Sequence, residues 1–121
     1  MPKKLTQEQV ICRSISEDSI LQAVTDLAVA LGAKVYHFRD SRRGIGDGMF
    51  VGDAGAKGYP DLTIILPWGV WWIECKKELG KVRPEQQECL DAINRAMPGH
   101  ALVARPSNWR NGEIEQILKG E

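Results

Sequence analysis

The sequence predicts an α/β domain with a mixed central β-sheet flanked by helices, in the order α-β-β-β-α-β-α. Three observations carry this. Ile20, Leu21, Val24, Leu27, Ala28 and Leu31 recur at helical spacing. Two apolar runs, 61–66 and 70–76, are joined by the turn residues Pro67-Trp68-Gly69. Pro84 then opens another helix, and the β-rich run 100–104 follows it.

Taken in order, residues 1–13 read as an irregular arm or a short helical start. Ser14-Ile15-Ser16-Glu17 fits a capping box, so a helix is expected over about 15–31, with Gly32 as its C′ residue. Lys34-Val35-Tyr36-His37-Phe38 reads as the first strand. A glycine-rich stretch comes next, with a brief strand expected at Met49-Phe50-Val51. Gly44-Ile45-Gly46-Asp47-Gly48 lacks the Gly-Lys-Ser/Thr of a P-loop. It reads as a surface loop or as a loop that meets a phosphate backbone through Arg42 and Arg43. The two central strands follow. The helix from Pro84 has its apolar positions at Cys89, Leu90 and Ile93, with Met97 a further candidate, and stops at Pro98-Gly99. A last strand at 100–104, a turn at Pro106-Ser107-Asn108 and a short helix with Ile114, Ile117 and Leu118 complete the chain. The 121 residues suffice for one domain with a core, and no repeat or second domain is apparent.

Composition excludes several classes. Apolar residues make up 43% and charged residues 26%, as in ordinary globular chains. No apolar run approaches the ~20 residues that span a bilayer, and the polar start, Met1 to Gln7, has no signal-peptide core. No membrane partner is expected. Cys12, Cys75 and Cys89 are odd in number and lack Cys-x-x-Cys spacing. They read as free thiols in a reducing, cytoplasmic compartment. With only His37 and His100 besides, a zinc site is not expected. Net charge is zero, yet Arg39, Arg42, Arg43 and Lys57 precede Asp61, and Lys76, Lys77, Lys81 and Arg83 follow Glu74. A neutral chain can still carry a basic face, although scattered surface charge accounts for the pattern equally well.

The chemistry concentrates at the ends of the central strands. Strand side chains alternate, so Glu74 and Lys76 share a face. Asp61 begins the neighbouring strand. Two carboxylates, with the Cys75 carbonyl between Glu74 and Lys76, are the hard oxygen donors that Mg²⁺ takes. Lys76 adds a cation beside an attacking water or a phosphate. Each residue also has a plainer reading. Asp61 after Pro60 suits a turn, and Glu74 and Lys76 suit a half-exposed strand. Val70-Trp71-Trp72-Ile73 is apolar on both faces, however. The strand is therefore central, and charges at its end need partners. Cys75 points to the opposite face and reads as a core thiol.

Register complicates this picture. A three-residue loop at 67–69, with Gly69 left-handed, sets Leu66 opposite Val70 and Asp61 opposite Cys75. Asp61 then faces away from Glu74. A shared site therefore requires a bulge, a longer loop or strong twist between the two.

Pro60-Asp61 and Glu74-Cys75-Lys76, with Gly58-Tyr59, Trp72-Ile73, Arg83-Pro84-Glu85-Gln86 and Leu102 to Ser107, resemble the PD-(D/E)XK nuclease superfamily. More narrowly, they resemble its VRR-NUC family of virus-type replication and repair nucleases, over about residues 14–107. The late Val-Arg-Arg signature of that family reads Val103-Ala104-Arg105 in this chain, with one arginine missing. The resemblance implies a restriction-endonuclease-like core in a single domain. It implies Mg²⁺, replaceable by Mn²⁺, held by Asp61, Glu74 and the Cys75 carbonyl. It further implies a catalytic Lys76, a glutamine at Gln86 (or its neighbour Gln87), and an acid on the first helix, Glu17. Arg42, Arg43, Lys57 and Lys77 are the candidate DNA contacts. The expected activity is endonucleolytic cleavage of branched DNA such as four-way (Holliday) junctions. The expected setting is a cell's interior, including a phage's host. Paired cuts suggest a C2 homodimer, with the first helix, Trp68 or Trp109 at its interface. The alternatives are a nuclease on flaps, ends or specific sequences, and an inert nucleic-acid-binding module.

Overall fold

The computed structural model describes residues 4–38 and 57–120. Arg42, Arg43 and the expected strand at Met49 to Val51 lie outside the described residues. Helix α1 spans Gln7–Ser14, α2 Glu17–Ala30, α3 Pro84–Ala96, α4 Pro106–Arg110 and α5 Glu113–Leu118. Strands β1 (Lys34–His37), β2 (Leu62–Leu66), β3 (Gly69–Cys75) and β4 (Ala101–Ala104) form one sheet in the order β1-β2-β3-β4. The first two pairings are antiparallel and β3–β4 is parallel. The fold is therefore mixed α/β, as the sequence predicts. Among the described residues no helix is long and apolar enough to cross a membrane.

The capping expectation for the first helices needs correction. The capping box forms at Thr6 and Gln9, not at Ser14 and Glu17. Thr6 Oγ1 accepts the Gln9 N–H at 3.0 Å, and Gln9 Oε1 accepts the Thr6 N–H at 2.8 Å. Helix α1 thus precedes α2 as a separate element. Ser14 donates its hydroxyl back to the Ile11 carbonyl, and Ser16 caps α2 by accepting the Ser19 N–H. Glu17 becomes the first residue of α2, where the helix dipole favours an acid. The other end behaves as read: Gly32 has φ +91°, and Ala33 N–H returns to the Ala28 carbonyl.

One face of the sheet carries Leu62, Ile64, Leu66, Trp71, Ile73 and Cys75, packed with Ile20, Val24 and Ala28 of α2 and Ile114 and Leu118 of α5. Each fully buried aliphatic side chain contributes about 1.5–3 kcal/mol. Several such residues can offset the cost, also several kcal/mol, of holding an acid at the sheet's edge. The opposite face carries Asp61, Thr63, Trp72 and Glu74 by alternation. Helix α3 reaches this face through Gln86, whose amide meets Glu74.

Helices α3 and α4 begin alike. Each follows an arginine N-cap, opens with proline and places a side-chain amide at N3. Gln86 Oε1 accepts the Arg83 N–H at 2.8 Å, and Asn108 Oδ1 accepts the Arg105 N–H at 2.7 Å. Pro106-Ser107-Asn108 therefore opens a helix, not the expected turn.

Candidate active site

The β2–β3 hairpin sets the geometry. Leu66 pairs with Gly69, Ile65 with Val70 and Leu62 with Ile73. The loop is thus Pro67-Trp68 alone, one residue shorter than expected. Neither loop residue has positive φ, so the turn is not a primed one, and Gly69 is not left-handed. Gly69 has a steric role instead: a Cβ there would lie 2.8 Å from the Trp71 ring. The shorter loop extends the ladder to bring Asp61 opposite Glu74, on one face. No bulge is needed, and the expected irregularity between the two acids is absent.

Hydrogen bonds lock the pair. Asp61 N–H donates to Glu74 Oε1 at 3.2 Å, and Asp61 Oδ2 accepts the Cys75 N–H at 2.9 Å. Asp61 thus continues the ladder with its side chain where the β2 backbone has turned away. Its carbonyl accepts the Phe38 N–H at 2.8 Å, which ties β1 to the same point. Gln86 Nε2 donates to Glu74 Oε2 at 2.8 Å, and Lys76 Nζ lies 3.6 Å from that oxygen. Gln86, not Gln87, meets Glu74; Gln87 bonds Asp91 on its own helix. Gly58 holds the approach to Asp61. Its φ is +90°, and a Cβ would run into the Glu85 carbonyl at the start of α3.

Electrostatics mark the cluster. Glu74 is 2% exposed, and its pKa is pushed up to about 7. Burial is the main cause and the Asp61 charge adds to it, while Lys76 and the Asp61 N–H oppose. Glu17 is an exposed residue, yet its carboxyl is also raised. Burial leads, Lys76 opposes and Asp61 raises it further, which puts Glu17 within electrostatic reach of the pair. The Cys75 thiol is fully buried and pushed far up by burial, then by Asp61, Glu74 and Glu17. It is a core thiol, as its alternation predicts.

The donor set suits a hard divalent cation. Among the described residues, no group of three or more His, Cys, Asp and Glu side chains is gathered for a metal. The chain offers two carboxylates. The Cys75 carbonyl also turns toward β2 with its own N–H, because an antiparallel residue aims both groups one way. Each carboxylate oxygen that accepts one hydrogen bond retains a second lone-pair direction. Few protein ligands, all oxygen, with the remainder from water and phosphate, is the pattern Mg²⁺ accepts.

Of the other candidates, Lys57 and Lys77 are exposed at this end of the sheet. Arg105, from the late signature, has a structural duty that its sequence position did not signal. Its Nη1 donates to the carbonyls of Lys77 (2.9 Å), Glu78 (3.0 Å) and Gly80 (2.7 Å), pinning the loop behind Lys76. Trp109 is partly buried against the core, so it is not the exposed ring expected. Trp68 is 50% exposed and donates its indole N–H to the Leu118 carbonyl. A cleft of about 450 Å³ beside Ser14, Ser16, Ser19 and Trp109 is lined by no carboxylate. Tyr59, Thr63 and Trp72 form a hydrogen-bonded group next to the acids that sequence reasoning missed. The alternation of Asp61 with Thr63, and of Trp72 with Glu74, was its legible trace.

No protein-family model matches the chain, and no curated protein matches it in sequence.

Proposed function

We propose that this protein is a metal-dependent DNA endonuclease of the VRR-NUC type, with a restriction-endonuclease-like core. One observation carries the reading: Asp61 and Glu74 lie opposite each other at the ends of adjacent strands, with Lys76 3.6 Å from Glu74. Asp61, Glu74 and the Cys75 carbonyl would hold Mg²⁺ or Mn²⁺. When bound, the ion would supply charge neutralisation at the phosphate and acidify the attacking water. Gln86 orients Glu74 by its amide, and the Arg83 N–H holds that amide in turn. Lys76 supplies a fixed positive charge at the mouth of the site, where water adds to phosphorus in line with the departing ester oxygen. Glu17, within electrostatic reach of the pair, would help order water. Lys57 and Lys77, with Arg42 and Arg43, contact the DNA backbone.

The substrate we infer is branched DNA of the four-way-junction kind, cut by a C2 homodimer inside a cell. The three free cysteines agree with a reducing setting. The test incubates labelled four-way junction, flap and linear duplex with the protein, in Mg²⁺ or in EDTA. Junction cleavage in Mg²⁺, lost in Asp61→Ala and Lys76→Ala variants that still fold, is the expected result. Binding without cleavage of any substrate would instead identify an inert module.

A further inference from the structure

We propose that the exposed sheet face formed by Tyr36, Phe38 and Tyr59, with Lys34 at its end, is a stacking platform for unpaired nucleobases that leads a single-stranded segment to the Asp61–Glu74 pair. This rests on the metal-nuclease reading alone and, among branched substrates, favours one with an unpaired strand such as a flap over a fully paired four-way junction.

The platform follows from register. Lys34, Tyr36 and Phe38 alternate onto one face of β1 and its continuation. Tyr36 pairs with Thr63, and Phe38 N–H bonds the Asp61 carbonyl at 2.8 Å. The row therefore runs from a cation, over two aromatics, to the acid pair. Tyr36 is 49% exposed, Phe38 54% and Tyr59 39%. Exposed rings at alternate strand positions stand roughly 7 Å apart, room for one base at each.

Two of the rings, Tyr59 and Phe38, are also held in place. The Tyr59 hydroxyl accepts the Trp72 indole N–H at 2.9 Å and is 3.1 Å from Thr63 Oγ1. Phe38 meets Tyr59 edge-on, with centroids 5.5 Å apart and planes at 86°. A ring already held loses little freedom when a base stacks on it.

The surroundings decide the occupant. The buried core of a protein–protein interface is poor in charge. This face carries exposed Ile65 beside the three rings, but also the hydroxyls of Tyr59 and Thr63 and the exposed cation Lys34, and an exposed Lys57 lies two residues before Tyr59. Rings that take bases beside cations that take phosphates suit a single strand. Continuity with the two acids gives the strand a direction.

The test measures anisotropy of fluorescent thymidine 12-mers and of abasic 12-mers of equal charge, in EDTA, with the full chain. The expected result is preference for the base-bearing strand. Tyr36→Ala and Phe38→Ala should each weaken binding to it by roughly 5- to 100-fold, with little change for the abasic strand. Tyr36→Phe keeps the ring and should bind like wild type. Lys34→Ala should weaken both oligonucleotides alike. Equal affinity of wild type for the two strands would overturn the platform. So would unchanged binding by folded Tyr36→Ala and Phe38→Ala, or their conversion of a dimer to monomers with binding unchanged. The two readings separate cleanly. Cleavage in Mg²⁺ without base preference removes the platform alone. Base preference without cleavage of any DNA in Mg²⁺ removes the nuclease reading and leaves the platform as a binding surface.

Discussion

Glu74 faces opposing demands. Burial and Asp61 raise its pKa to about 7, while Lys76 lies 3.6 Å away and favours its charge. Its folded pKa exceeds the ordinary value, so the folded state holds the proton more tightly. The stability this provides is complete below about pH 4.5 and is lost as pH rises through 7. Without metal, Glu74→Gln should therefore gain stability relative to wild type between pH 5 and pH 8. Thermal unfolding in EDTA at both pH values checks this, and a larger relative loss in the variant at pH 8 would contradict it. A divalent ion requires the ionised carboxylate, so its stabilisation runs the other way. Mg²⁺ at a hundred times its dissociation constant should add about 2.7 kcal/mol at pH 8. It should add far less at pH 5, and not in Asp61→Ala. Cys75, buried and hard to ionise, should resist thiol reagents in the folded protein, while the partly exposed Cys89 reacts first.

Single elements carry the site through their ends. The start of α3 matters most, because Gln86 joins the Arg83 N–H to Glu74. Removing that amide takes the donor from Glu74 Oε2 and leaves the buried acid only the Asp61 N–H, on Oε1. Gln86→Ala should cost about 1–3 kcal/mol in chemical denaturation and lower cleavage roughly 10- to 100-fold. Gly58→Ala should cost about 1–3 kcal/mol from its φ alone, and more from the collision with Glu85, which also shifts Asp61. Much of this was legible. Pro84 at N1 announced the helix, while its amide came from the family resemblance, which left Gln86 and Gln87 both open. Gly32 announced the end of α2. Three local choices misled. Ser14-x-x-Glu17 matched a capping box, but the equivalent Thr6-x-x-Gln9 formed and Ser16 took the next cap. Helix α1 buries only Cys12, so periodicity gave little sign of it. Pro67 rightly excluded a primed turn, but an unprimed two-residue turn remained open to it.

At the scale of the molecule, that one-residue difference in the hairpin decides the chemistry. A three-residue loop would send Asp61 to the core face beside Leu62's neighbours; the two-residue loop sets it against Glu74. Strand types and the mixed sheet could be read from alternation and turn residues. Register could not, because both loops suit Pro-Trp-Gly, and the close approach of the Trp71 ring to Gly69 is seen only in the folded hairpin. The contacts of Arg105 were similarly hidden, since they join carbonyls about 25 residues upstream to one guanidinium. The assembled sheet gathers acids, Lys76 and Gln86 at one end, with exposed rings beside them. The most direct measurement is an anomalous diffraction map from crystals soaked in Mn²⁺. The predicted result is a single peak shared by the Asp61 and Glu74 carboxylates and lost in Asp61→Ala. Saturating Mn²⁺ with no peak between those carboxylates would contradict the account.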